Sequence, residues 1–184
     1  MPRSLACCNL PELELLGRPT LRCDPLGDAT ALDRSWRSLL DRLAEAKRTA
    51  APLAWSRVAG AFSDEPPEMI TFGAPDGEGL YAQALRYEQT TGRAFSRELA
   101  AVWTVADGIH VDDLWWYLEP AREWTWEDHG LRIGCGSSMQ GSLYIEGAAA
   151  TVDLARARVV DRDDDGVELH RYESLAALLR LLLD

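Results

Sequence analysis

The sequence predicts an α+β fold: a mostly antiparallel sheet, helices packed beside it and a helix that closes the C-terminus. Two observations carry this. Apolar residues recur at helical spacing in the first half, whereas after Gly108 short aromatic and β-branched runs are separated by turn residues every roughly eight to twelve positions. Helices followed by hairpin-connected strands lack the alternation that builds a parallel α/β sheet. With 184 residues, 47% of them apolar, the chain suits one domain over 1–184 with a substantial core.

The first thirty residues hold Pro2, Pro11, Pro19 and Pro25 among Gly17 and Gly27, and they read as an irregular leader. From Thr30 the pattern changes. Leu32, Trp36, Leu39, Leu40 and Leu43 fall on one helical face, with Thr30 as the expected cap and Pro52 beyond the expected end. A loop rich in Pro and Gly, through Gly79, leads to a helix over 80–91 stopped by Gly92. Ser96 is placed to cap a third helix, whose stripe is Leu99, Val102, Trp103 and Ala106 and which Gly108 ends. Strands are expected near 111–118, 131–134, 142–146, 149–154, 156–161 and 167–171, with Asp165-Gly166 turning the last hairpin. Ser174 then caps a segment in which Leu175, Leu178, Leu179 and Leu182 share a face.

Nineteen Lys and Arg against thirty Asp and Glu give a net charge of −11. Direct nucleic-acid binding is disfavoured, because phosphate contacts need a basic surface. The acidity reads equally as a solubilising surface, and its sharper reading is a basic partner, since opposite fields accelerate encounter. Four cysteines include the adjacent pair Cys7-Cys8 and no Cys-x-x-Cys, which suits a reducing compartment. The N-terminus lacks the apolar run of a signal peptide and no stretch approaches the length of a membrane helix, so the expected location is the cytoplasm, away from membranes.

Few motifs suggest chemistry. Asp161, Asp163, Asp165 and Gly166 match the first half of a calcium loop, but Tyr172 stands where the closing carboxylate belongs, and an acidic hairpin tip is the better reading. Gly134-Cys135-Gly136-Ser137-Ser138 offers nucleophiles, yet nothing fixes one beside His110, His129 or His170. Those histidines also lack zinc-helix spacing, and Gly73–Gly79 lacks the Lys and hydroxyl of a phosphate loop. No catalytic residue, metal or cofactor is therefore assigned, and the chain is read as a binding protein rather than an enzyme.

The tryptophans are more informative. Trp36 and Trp103 lie on apolar helical faces and belong to the core. Trp115 and Trp116, adjacent on an expected strand, must point to opposite faces. An aromatic group including Trp116 and Trp124, rimmed by Asp112, Asp113, Glu119, Glu123, Glu127 and Asp128, is the expected partner-binding surface. Packing of these tryptophans under the loop is the competing reading.

Three stretches carry a family resemblance. FSRELAAVWTVADGI is similar to a helix of the SUKH superfamily (Smi/Knr-like proteins), in which an apolar stripe ends in a polar residue and glycine, here Asp107-Gly108. LRIGCGSSMQGSLYIEG resembles the family's strand, glycine-rich turn and strand, and ATVDLARARVVDRDDDGVELHRYESLAALLRLLL its closing meander and helix. The likeness covers 95–184 as a family-like core, and leaves 1–90 as a helical, loop-rich elaboration. It implies an α+β fold and the role of a bacterial immunity protein, which binds and neutralises a polymorphic toxin, often a nuclease, in the cytoplasm. Related fungal proteins imply the alternative of a regulatory or scaffold protein with a cellular partner. The resemblance brings no catalytic residues.

Overall fold

The structure is a computed structural model that describes residues 32–50, 70–111, 116–136 and 141–184. Within them the fold is α+β: four α-helices and an eight-stranded, wholly antiparallel sheet. Helix α1 is Arg34–Thr49, α2 Gly77–Thr91, α3 Arg97–Val105 and α4 Leu175–Leu183. The strands are β1 Ile70–Phe72, β2 Ile109–Val111, β3 Tyr117–Leu118, β4 Thr125–Glu127, β5 Gly130–Cys135, β6 Ser142–Glu146, β7 Val159–Arg162 and β8 Glu168–Tyr172. Their order is β1-β2-β3-β5-β6-β7-β8, and β4 also pairs with β5. None of the described helices is long and apolar enough to cross a membrane.

Local chemistry explains the helix ends. The Asp33 side chain accepts from the Trp36 amide, so α1 starts at Arg34 rather than behind Thr30, which lies outside the described residues. The expected stripe on α1 is buried throughout. Gly92 takes the left-handed conformation that stops α2, and Ser96 and Ser174 cap α3 and α4 as read from sequence. Helix α3 ends at Val105, three residues before Gly108.

Asp107-Gly108 forms a tight corner. The Asp107 carboxylate accepts from the Ala121 amide at 2.8 Å and the Gly108 carbonyl accepts from Gly73 at 3.0 Å. Gly108 has φ +95°, and a Cβ there would lie 2.8 Å from the Leu118 carbonyl oxygen, so glycine is required on both counts. Beyond the corner, the single strand expected over 111–118 is instead two short strands, with Ile109 opposite Leu118.

Strand alternation sorts the sheet into two faces. Trp126, Leu131, Ile145, Val159 and Tyr172 form one cross-strand row, which packs with the helices in the main core. The neighbouring row, Thr125, Arg132, Tyr144, Val160 and Arg171, lies on the opposite face. A strand expected at 149–154 is absent. Instead Thr151 and Val152 both donate to Ala148 in a local turn, and Val152 and Leu154 are buried without joining the sheet.

Candidate functional site

The polar face of the sheet carries a connected set of charged and hydroxyl groups. Arg132 bridges the Glu119 carboxylate on one side and lies 4.0 Å from Glu127 on the other. Tyr144 on β6 donates to Glu127 at 2.7 Å, and Thr125 donates to the second Glu127 oxygen at 3.0 Å. Burial and the adjacent Glu127 charge push the Tyr144 phenol up, so it stays a hydrogen-bond donor at neutral pH. One strand further, Arg162 pairs with Glu146 at 3.4 Å and donates to the Gly166 carbonyl at 2.9 Å.

By register the β4–β5 turn lies at the Glu146 end of β6, and the β7–β8 turn lies at the Ser142 end. The second turn nonetheless curls over this face: a Cβ built at Gly166 would be 3.4 Å from His129 Nε2. Leu169 of β8 is an extra residue opposite Asp161 and Arg162, and this bulge provides the bend. Between the two turns is an open cavity of about 490 Å³, with Ser142, Tyr144 and Arg162 beneath and Glu127, Asp128, Asp163, Asp164 and Asp165 around it. The His129 ring meets Tyr144 edge-on at 5.5 Å. Five carboxylates thus surround one arginine, Arg162, which also pairs with Glu146, a carboxylate it shares with Arg158 at 3.1 Å.

The hairpin tip itself is held by Asp163, whose carboxylate accepts from the Asp165 and Val167 amides at 3.1 and 2.8 Å. That bonding turns the half-motif of a calcium loop into a capped hairpin. Asp161, the first member of that motif, is fully buried on β7 and is remote from solvent. Among the described residues no group of three or more His, Cys, Asp or Glu is arranged to hold a metal.

The residues expected to contact a partner separate into three groups. Glu127 and Asp128 are exposed and line the cavity, and Glu123 is exposed on a short 3-10 turn, Ala121–Glu123, beside Arg122. Asp112 and Asp113 lie outside the described residues, as does Trp115. Trp116, Trp124 and Glu119 are corrections: they are 1%, 2% and 3% exposed and present nothing to a partner. Trp124 follows the 3-10 turn and packs edge-on against Trp103 at 4.6 Å, so its neighbours face water while its ring enters the core. Glu119 is fixed by its own backbone, its amide donating to Ile133 and its carbonyl accepting from the Trp103 indole. Burial pushes its carboxyl up, against the opposing pull of Arg132.

Sequence reading identified the acidic 163–165 tip but not its meeting with Glu127 and Asp128, and it did not single out Tyr144 or Arg162. Each of those four segments is ordinary alone. Of the nucleophiles considered, Ser137 and Ser138 lie outside the described residues; Cys135 is buried, and burial chiefly, with Asp161 secondarily, pushes its thiol up, away from a reactive thiolate.

Comparison with family models, with curated proteins and with solved structures finds no match for the chain.

Proposed function

We propose that this chain is a non-enzymatic, cytoplasmic immunity protein that binds and neutralises a basic protein toxin, presenting the acidic cavity between the β4–β5 and β7–β8 turns to it. The observation that carries this reading is the convergence of Glu127, Asp128, Asp163, Asp164 and Asp165 on one cavity of a chain with net charge −11. A lysine or arginine of the partner entering there meets carboxylates already held by Tyr144, Thr125 and backbone amides, so little ordering remains to be done on binding. The chain's overall charge steers the same partner from a distance. The resemblance to SUKH proteins supplies the class of partner.

The test uses the product of a gene adjacent to this one, if that gene encodes a secreted protein with a C-terminal toxin domain. Co-expression should restore growth to cells making the toxin. In surface-plasmon kinetics, reversing Asp128 and Asp164 to Arg should slow association by about tenfold or more, and added salt should slow it for the unmodified protein. Binding with unchanged rates after both reversals would move the interface elsewhere. Binding without rescue of growth would favour a regulatory or scaffold role.

A further inference from the structure

We propose that the cavity between the α2–α3 link and the 152–156 segment binds a small organic anion, a carboxylate or phosphate monoester on an apolar body, with Arg93 as its main anchor. The cavity is open and has a volume of about 490 Å³, within the usual range for small-ligand sites. It belongs to the helix side of the sheet: Tyr87, which lines it, stacks on Trp126 of the row that packs with the helices. The acidic cavity opens on the other face, with Tyr144 of the neighbouring row beneath it.

Two short segments build the cavity in the same way. In 93–97, Phe95 turns into the core while Arg93 and Arg97 stay exposed; in 152–156, Val152 and Leu154 turn in while Asp153 and Arg156 stay exposed. The result is a floor of buried rings and aliphatic groups beneath a rim of arginines. The two carboxylates of the rim are engaged locally. Glu98 accepts from the Ser96 hydroxyl at 3.0 Å, while Asp153 accepts from the Ala155 amide at 3.1 Å and lies 4.0 Å from Arg156. Three arginines against two carboxylates leave the lining positive, in a chain whose net charge is −11.

Arg93 decides the class of ligand. Its Nη1 donates to the Val152 carbonyl at 2.9 Å and to the Ala150 carbonyl at 3.5 Å, so the guanidinium is held by neutral groups that leave its charge unbalanced. Its other edge, Nε with Nη2, has no hydrogen-bond partner among the described residues. That edge is the planar fork that takes a carboxylate or phosphate through two parallel bonds. Elsewhere in this chain it does so: Arg48 holds Glu45, and Arg171 holds Glu168, through Nε and Nη2. Arg93 has the same fork, fixed beside an apolar floor, without the carboxylate. An inorganic anion would leave the floor uncovered and a neutral apolar molecule would leave the fork unpaired, whereas a ligand with both parts satisfies both. Because the guanidinium is already anchored, little ordering remains to be done on binding.

Calorimetric titration of the full chain at low salt tests this with phenyl phosphate, phenylacetate, inorganic phosphate and benzyl alcohol. At least one of the two organic anions should saturate a single site per chain, and the tighter of them identifies the head group. Inorganic phosphate and benzyl alcohol should each bind about tenfold more weakly or worse. Added salt should weaken the organic anion. Arg93→Gln and Arg93→Lys should each cost about tenfold or more, since lysine keeps the charge but not the fork, whereas Arg48→Gln, at a fork that Glu45 already fills, should change nothing. Cooperative thermal unfolding of each variant shows that lost binding is not lost fold, and the comparison of probes on the unmodified protein stands whatever the variants do. No saturable binding of either organic anion, a control probe binding as tightly as both, or binding untouched by both Arg93 substitutions would overturn the proposal. None of these probes suits an acidic cavity, so the result is independent of the toxin-binding reading.

Discussion

The two cross-strand rows of the sheet are built from the same strands, one residue apart, yet they do different work. Leu131, Ile145 and Val159 of the first row are at most 2% exposed and belong to the same buried cluster as Leu175, Leu178, Leu179 and Leu182 of α4. In the second row Arg132 and Tyr144 lay their long bodies against the sheet while their polar tips bind Glu119 and Glu127. The first row has nothing to offer a partner and everything to lose from truncation. The second presents the charge of Arg132 and the hydroxyl of Tyr144 among carboxylates, while Tyr144 and Val160 of the same row are themselves buried. Substitutions should accordingly separate into those that act on folding and those that act on binding.

The strongest way to break this division is to remove what covers the first row. Ending the chain after Arg171 deletes Tyr172 and α4, and with them four buried leucines. At ~1.5 kcal/mol each this is ~6 kcal/mol, comparable to the whole net stability of a domain. We expect the truncated protein to lose its cooperative unfolding transition and its soluble expression; a soluble, cooperatively melting product would mean that the sheet does not depend on α4.

A smaller contrast compares one residue from each row. Ile145→Ala removes a fully buried side chain and should cost about 2–5 kcal/mol in urea unfolding. Thr125→Ala removes an exposed hydroxyl that donates to Glu127 and should cost no more than ~1 kcal/mol. Equal costs would show that the second row is also part of the folding core.

The unequal legibility of these regions in the sequence has a physical basis. Caps and amphipathic stripes are local, so Ser96, Gly92 and Ser174 marked three helix ends correctly, as did the leucines of α4. Thr30 misled because Asp33 caps equally well three residues later. Strands are fixed by distant partners. The run over 111–118 has the composition of one strand but is divided into β2 and β3, which pair with each other, and the 149–154 segment is β-like in composition but finds its hydrogen bonds in turns. Strands β1 and β4 were missed for the converse reason: each is three residues long and borrows its stability from a neighbour. At the candidate site, the sequence showed Glu127 and Asp128 near tryptophans and three aspartates in a turn. Only the β7–β8 bulge brings those two groups together, and only the 3-10 turn sends Trp124 inward.

The finest test concerns Glu119, which belongs to the polar network yet is buried as deeply as the core. Burial is the largest influence on its carboxyl and outweighs Arg132, with Glu123 and Glu127 adding to the upward push. A carboxyl raised on folding holds its proton more tightly in the native state than in the unfolded chain. Its contribution is therefore fully present below the unfolded value, near the ordinary 4.5, and is lost as pH rises through the raised native value. Glu119→Gln cannot ionise and escapes that loss, while its amide oxygen still accepts from Arg132. Urea unfolding of both proteins across this range should show the variant gaining on the unmodified protein as pH rises from about 4.5, then running parallel once Glu119 is ionised in both states. The comparison cancels the background from Asp107, whose carboxyl burial also raises and which both proteins share. A variant that instead lost ground with rising pH would show that the Arg132 bridge outweighs burial, and Glu119 would then stand with Glu127 as a charge the fold holds ready for use rather than one it tolerates.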